Sequence, residues 1–114
     1  MLVWELIKNE IIMQKELNLY ELLYVVNSSF TEQELSKKVD FYKEFIVHSG
    51  SQVMVEKRGK RQLSYPIKGF ETGNYIQMLY LGNGTLVTKL NSMLSRDDSV
   101  LRSITTKLST PIGD

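Results

Sequence analysis

The sequence predicts an α+β domain with the element order strand, helix, strand, strand, helix, strand. Residues 20–26 and 73–81 are almost continuously apolar and aromatic, which is typical of strands in the middle of a sheet. Each is followed by a segment with apolar residues at helical spacing. The strands at residues 52–56 and 100–108 carry more polar residues and are expected at the sheet edges. We therefore expect a four-stranded antiparallel sheet in the spatial order four, one, three, two, with both helices on one face.

The first helix is expected to begin at Thr31 and to end before Gly50. Thr31 and Glu34 match the capping box, in which each side chain accepts a hydrogen bond from the other residue's backbone N–H. Glycine at position 50 is a natural helix terminator. The residues at helical spacing, which should form the buried face of this helix, are Leu35, Val39, Tyr42 and Ile46.

The second helix follows the turn at residues 82–84, with Thr85 as its expected N-cap. Its apolar face should contain Leu86, Leu90 and either Met93 or Leu94. Residues 96–99 are expected to form a turn before the last strand. The complete order is that of the split βαβ, or ferredoxin-like, arrangement.

The 114 residues correspond to one domain. We expect residues 19–108 to form this domain, residues 1–18 to be an N-terminal extension and residues 109–114 to be a mobile tail. The extension is predicted to hold a short amphipathic helix, although Met13 is an equally good initiator. Its apolar runs are too short and too often interrupted by charges to cross a membrane. The apolar side chains on one face of that helix are Val3, Trp4, Ile7 and Ile11.

The composition argues against enzymatic chemistry. The chain has no cysteine, so thiolate chemistry and disulfides are excluded, and its single histidine, His48, is expected at the surface. Asp97 and Asp98 are adjacent in a predicted turn, where a solvated cap or loop role is expected rather than acid–base catalysis. No glycine-rich phosphate loop or catalytic triad pattern occurs. We therefore expect no catalytic residue, metal, cofactor or small-molecule substrate.

Positive charge is concentrated in one stretch of a chain whose net charge is only +1. The stretch follows a predicted strand and contains Pro66, which belongs at a sheet edge or turn, so we expect it on an exposed hairpin. Clustered cations are candidates for contact with phosphates, although a solvated turn without a partner is the simpler alternative. The candidate RNA-binding residues are Lys57, Arg58, Lys60, Arg61 and Lys68, with Tyr65 as a possible stacking platform.

The central strands also predict a surface for a partner protein. The register that keeps Glu21 and Gln77 away from the helices assigns Leu22, Tyr24, Val26, Ile76, Met78 and Tyr80 to the helix side. The other face of the sheet, which the helices leave open, is also apolar, and this is unusual for a solitary monomer. Either a partner protein docks there or residues 1–18 fold back over it. The residues predicted on this open face are Leu23, Val25, Tyr75, Leu79 and Leu81.

Several local motifs resemble those of the ribosomal protein S6 family of the bacterial-type small ribosomal subunit. They are Tyr-Glu at 20–21, Gly-Lys-Arg at 59–61 followed by Leu63 and Tyr-Pro-Ile at 65–67, Gly73, and Val-Leu-Arg at 100–102. Two positions depart from the family pattern, because Arg58 stands where the family usually has Trp and Ser103 where it has an aromatic residue.

The resemblance implies a structural protein of the small ribosomal subunit. It implies binding to small-subunit ribosomal RNA together with the eighteenth protein of that subunit, on a ribosome of a plastid or a bacterial cytoplasm. A composition rich in Lys, Asn, Ile, Leu and Ser is compatible with a plastid genome.

Two other functions are compatible with a ferredoxin-like fold. One is a regulatory domain that binds a small ligand as a homodimer. It would sediment as a free dimer, whereas a ribosomal protein would sediment with small subunits. The other is an acylphosphatase-like enzyme, which needs an arginine-bearing anion loop after the first strand. Residues 27–30, Asn-Ser-Ser-Phe, offer no such loop.

Overall fold

The computed structural model describes residues 18–109, which form one sheet and two helices. The strands are β1 (Asn18–Asn27), β2 (Val53–Ile67), β3 (Phe70–Gly82) and β4 (Val100–Ser109), and the helices are α1 (Glu32–His48) and α2 (Gly84–Arg96). The sheet order is β2-β3-β1-β4, with every neighbouring pair antiparallel. This confirms the predicted topology. The helix predicted in residues 1–18 and the tail predicted at 109–114 lie outside the described residues, except for the strand residues 18 and 109.

The capping box of α1 forms as predicted. The Thr31 hydroxyl accepts a hydrogen bond from the Glu34 backbone N–H at 3.2 Å, and the Glu34 carboxylate accepts one from the Thr31 N–H at 2.9 Å. These hydrogen bonds lower the pKa of Glu34, although its carboxylate is fully exposed. At the other end, Ser49 is the C-cap and Gly50 has a φ of +93°, a left-handed conformation that favours glycine.

The N-cap of α2 is Asn83, so the prediction of Thr85 was wrong. The Asn83 side-chain oxygen accepts a hydrogen bond from the Leu86 N–H at 2.9 Å, which satisfies one of the free donors of the first turn. The helix therefore begins at Gly84, and Thr85 lies inside it. The sequence left open whether Met93 or Leu94 lies on the buried face of α2, and the buried residue is Leu94.

The core lies between the helices and one face of the sheet. The predicted register is confirmed, because Leu22 and Met78 are directly opposed and both are completely buried. Tyr24 packs edge-on against Tyr42 of α1, with ring centroids 5.6 Å apart. The sheet residues of this core are Leu22, Tyr24, Val26, Ile76, Met78, Tyr80 and Val100, and the helix residues are Leu35, Val39, Tyr42, Ile46, Leu86, Leu90 and Leu94.

Asp97, expected as a solvated turn residue, instead joins α1 to the turn before β4. Its side chain is only 15% exposed and accepts hydrogen bonds from the Tyr42 hydroxyl at 2.6 Å and the Lys38 ammonium at 2.8 Å. Its second oxygen accepts from the backbone N–H and hydroxyl of Ser99. Burial alone would raise the pKa of Asp97, but the hydrogen bonds outweigh it and lower the pKa to about 2. The neighbouring Asp98 is exposed, as predicted.

Within residues 18–109, no helix is long and apolar enough to cross a membrane. The same part of the chain contains no group of three or more acidic or histidine side chains arranged to hold a metal ion. The side chain of His48 is 80% exposed at the end of α1, which confirms the expected surface position.

Candidate nucleic-acid interface

The basic stretch lies along the edge strand β2 rather than at a hairpin tip. The strand predicted at residues 52–56 continues to Ile67, and β3 pairs with it on one side only. The tip of the hairpin is the two-residue turn Lys68-Gly69, where both residues have positive φ, as tight hairpin turns require. Of the five predicted cations, only Lys68 lies at the turn. Pro66 is tolerated because β2 is an edge strand.

A bulge at Gly59 distributes the cations between the two sides of β2. The pairing with β3 shifts between Lys57 and Gly59, and Gly59 has a φ of +89°. On the helix side, Lys57 donates a hydrogen bond to the Ser36 hydroxyl of α1 at 2.7 Å. Lys60, also on the helix side, is 3.4 Å from the Ser28 carbonyl oxygen. The two lysines therefore lie at the junction of β2 with α1 and the loop before it.

The two arginines lie on the open sheet face. Arg58 donates to the side-chain oxygen of Gln77 from Nε at 3.0 Å and from Nη2 at 2.5 Å, and a third nitrogen is 3.5 Å from the Glu56 carboxylate. Gln77 in turn donates to Glu21 at 2.7 Å. Arg61 is placed with its guanidinium 5.7 Å from the centre of the Tyr75 ring. The guanidinium of Arg58 therefore makes polar contacts with other residues of the protein, whereas that of Arg61 contacts an aromatic ring.

Most of the basic stretch has no acidic partner in the described part of the chain. The salt bridges among residues 18–109 involve Arg58 but none of the other four cations. These four are exposed, and so is the Tyr65 ring, at 58%. Their charges are free to meet an external anion. The four cations are Lys57, Lys60, Arg61 and Lys68.

One residue predicted on the partner surface is not accessible. Val25 is only 4% exposed, because Leu63 and Leu101 pack over it in a second, smaller apolar cluster. The β2–β3 hairpin continues past the last residue of β1, and its end curls onto the open face with Ile67 and Phe70. The protein itself thus closes this end of the face, which strand alternation alone does not reveal.

The accessible part of the open face carries a diagonal row of apolar side chains, which the Gln77–Glu21 hydrogen bond crosses at its centre. Leu79 is opposite Met54 of β2, and Leu23 is opposite Ile104 of β4. Met54 is 72% exposed and Ile104 is 51% exposed, and neither was among the predicted partner residues. Aligning the polar edge strands with the central ones would have revealed both. The predicted Tyr75 and Leu81 are half-buried on the same face. Below, "the open stripe" means Met54, Leu79, Leu23 and Ile104.

The sheet order and the helices on one face define a ferredoxin-like α+β domain. The solved 30S ribosomal protein S6 of Thermotoga maritima has the same fold, with a TM-score of 0.75 over 81% of this chain and 88% of that one. At 22% sequence identity this similarity supports the fold alone.

Sequence comparison then establishes the family. Residues 19–107 match the sequence model of the family described as "Ribosomal protein S6". Small ribosomal subunit protein bS6c of Guillardia theta is 34% identical over 94 residues, which cover 82% of this chain and 98% of that protein. The bS6 protein of Gloeothece citriformis is 34% identical over 90 residues, 78% of this chain and 51% of its own.

The chain therefore belongs to the ribosomal protein S6 family. It is a structural component of the small ribosomal subunit and not an enzyme, and its location is the ribosome. The family predicted from the local motifs is confirmed. The relatives include plastid-type proteins, such as bS6c of Pyropia yezoensis, and bacterial ones.

Proposed function

We propose that this chain binds small-subunit ribosomal RNA through β2 while the eighteenth small-subunit protein docks on the open stripe. The observation that carries the RNA contact is the set of exposed cations on β2 without an acidic partner in residues 18–109. An exposed carboxylate nearby would neutralise such cations. Their charges are instead available to phosphates.

The arrangement favours contacts with the RNA backbone over reading of bases. Lys57 and Lys60 project on the helix side of β2, whereas Arg61 projects on the other, so an RNA strand along this edge would meet cations on both sides. Phosphate contacts of this kind fix position and orientation but carry no sequence information. Arg58 should contribute least, because Gln77 and Glu56 already occupy its guanidinium. Tyr65 is the candidate for base stacking.

The small net charge is the reason to include a second protein. With a net charge of +1, three free cations on β2 and a fourth at the adjoining turn, this chain alone should bind RNA with modest and salt-sensitive affinity. A protein docked on the open stripe would bring its own basic surface to the same RNA, which raises the effective concentration of both. Met54 and Ile104, at the two ends of the open stripe, are exposed, and Leu23 and Leu79 are half-buried, so the open stripe can accept such a partner.

The RNA contact is tested by a double variant, Lys60→Ala with Arg61→Ala. We expect weaker binding to small-subunit RNA across sequences, and a dependence of log affinity on log salt that is flatter by roughly 0.7–0.9 for each lost phosphate contact. The matched control is Lys43→Ala with Lys89→Ala, which removes two exposed cations from the helices. If both double variants change the slope equally, net charge rather than β2 determines binding.

A further inference from the structure

A groove on the helix side of the molecule is not explained by the RNA and protein contacts proposed above. A cleft of about 620 Å³ lies between the end of α1 and the start of α2, where Phe45, His48 and Leu86 line it. A second hollow of about 430 Å³ continues along α1 and shares Phe45 and His48 with the first. Below, "the α1 groove" means both hollows together.

The outer part of the α1 groove is apolar. Phe41 is 57% exposed there, although a phenylalanine ring gains substantially from burial. Scattered exposed apolar residues are common on protein surfaces, but this ring lines a shallow hollow beside a second aromatic residue, Phe45. Acidic side chains, Asp40 and Glu44, line the same hollow. The site therefore fits an apolar helix that carries a positive charge beside its apolar face.

The chain enters the domain at the rim of this groove. Asn18, the first residue of β1, is paired with Gly82, and Gly82 lines the cleft. Residues 12–17 can span at most ~20 Å when extended, and residues 3–11 would span ~14 Å as a helix. The part of the groove along α1 between Phe41 and His48 measures ~10 Å. The preceding segment is long enough to cover it.

We infer that residues 1–17 of the same chain pack in the α1 groove as an amphipathic helix. Their apolar side chains recur on one helical face, which Lys8 borders on one edge and Glu10 on the other, so that Lys8 can approach Asp40. The segment precedes residue 19, where the match to the family begins. The apolar side chains concerned are Val3, Trp4, Ile7 and Ile11.

The open sheet face fits this segment less well. The polar chain Arg58–Gln77–Glu21 crosses the open stripe between Leu79 and Leu23. The apolar face of residues 1–17 offers these groups no polar partner, whereas the surface of a partner protein can supply one. The α1 groove is shallow, and its outer part holds only the exposed Glu44–His48 pair among the polar contacts of the described residues. Docking of this segment does not depend on the RNA contact, since none of the residues that line the α1 groove is a candidate RNA-binding residue.

The test uses the full chain, whose only tryptophan is Trp4 and which has no cysteine. Glu44→Cys, in the α1 groove, and Glu56→Cys, on the open face, each receive a nitroxide label. The two side chains are matched, being 59% and 63% exposed and each within 3.5 Å of one basic partner. Because a nitroxide quenches indole fluorescence only at close range, we expect several-fold stronger quenching of Trp4 from position 44. Equal quenching from both sites, stronger quenching from position 56, or none from either overturns the inference.

A second measurement separates docking in the same chain from docking in a second copy. Quenching from position 44 should not change on dilution, and a loss on dilution would assign the groove to another copy and overturn the inference. Phe41→Ser should shift the Trp4 emission to the red, whereas Met54→Ser on the open face should leave it unchanged. Both side chains are exposed, so neither change threatens the fold. A red shift with Met54→Ser alone would place the segment on the open stripe instead.

Discussion

Leu22 and Leu23 are adjacent in β1 and have the same side chain, yet they lie in different environments. Leu22 faces the helices and is completely buried, whereas Leu23 faces the open side and stays half-buried. The face behind Leu22 is filled by both helices. The face around Leu23 is crossed by the Arg58–Gln77–Glu21 chain and rimmed by exposed Met54 and Ile104.

The comparison separates residues that hold the fold from residues left free for recognition. Core burial on the helix side supplies the stability of the domain, because truncating a close-packed side chain lowers the free energy of unfolding most. The open side contributes less to the monomer and can therefore keep apolar groups for a partner. Substitutions that act differently on the two sides test this division.

The largest expected effect is on the buried side. Leu22→Ala should lower the free energy of unfolding by about 3 kcal/mol, because it removes buried methyl groups and leaves a cavity in a fully packed site. Leu23→Ala is the matched control and should cost about 1 kcal/mol, since its side chain is only half-buried. Chemical denaturation of the two variants measures both values. Equal losses would contradict the division between the faces.

Asp97 gives a smaller effect that depends on pH. Its pKa is lowered from the usual 3.8 to about 2 in the folded protein, so its contribution of roughly 2 kcal/mol is fully present above pH 4 and is lost as pH falls from about 4 to 2. Asp97→Asn should cost about this much at pH 7 and should flatten the loss of stability in that acidic range. Asp98→Asn, next to it but exposed, is the control. Parallel pH curves for wild type and Asp97→Asn would show that the carboxylate is not responsible.

The smallest expected effect on stability belongs to the open stripe. Leu79→Asp should cost about 1 kcal/mol, because the leucine is only half-buried in the monomer. We expect it to abolish the gain in RNA affinity that the eighteenth small-subunit protein provides. RNA binding is measured for wild type and variant with and without that protein. Thr88→Asp adds the same charge on α2 as a control. If the partner helps wild type and Leu79→Asp equally, it does not dock on this face.

Features that depend on neighbouring residues in the chain could be predicted from the sequence. The central strands are apolar on both faces, and the capping box places its two residues three positions apart, so β1, β3 and the start of α1 were recognised correctly. Asn83 was missed although the signal was present, because asparagine caps helices at least as well as threonine. Whether Asn83 or Thr85 caps α2 depends on the residue at which the first helical turn begins.

Features that depend on distant contacts could not be predicted. The partners of Asp97, Lys38 and Tyr42, precede it by 59 and 55 residues, and no local pattern links them. Val25 is covered by Leu63 of the β2–β3 hairpin and by Leu101 of β4, both distant from it in sequence. The candidate RNA residues were identified as a group, but their distribution between the two sides of β2 depends on a bulge that the sequence marks only by Gly59. Which of the cations contact RNA stays a prediction.

The bulge at Gly59 also makes the number of residues in β2 as important as their identity. Because side chains alternate between faces, deleting one residue there would exchange the sides of every later residue up to the turn. Leu63 would leave its contact with Val25 and Leu101, and Arg61 would turn away from Tyr75. Replacing a lysine along this edge changes one charge, whereas shortening the strand by one position would rearrange the whole edge. Substitutions in β2 should therefore be tolerated far better than single-residue insertions or deletions.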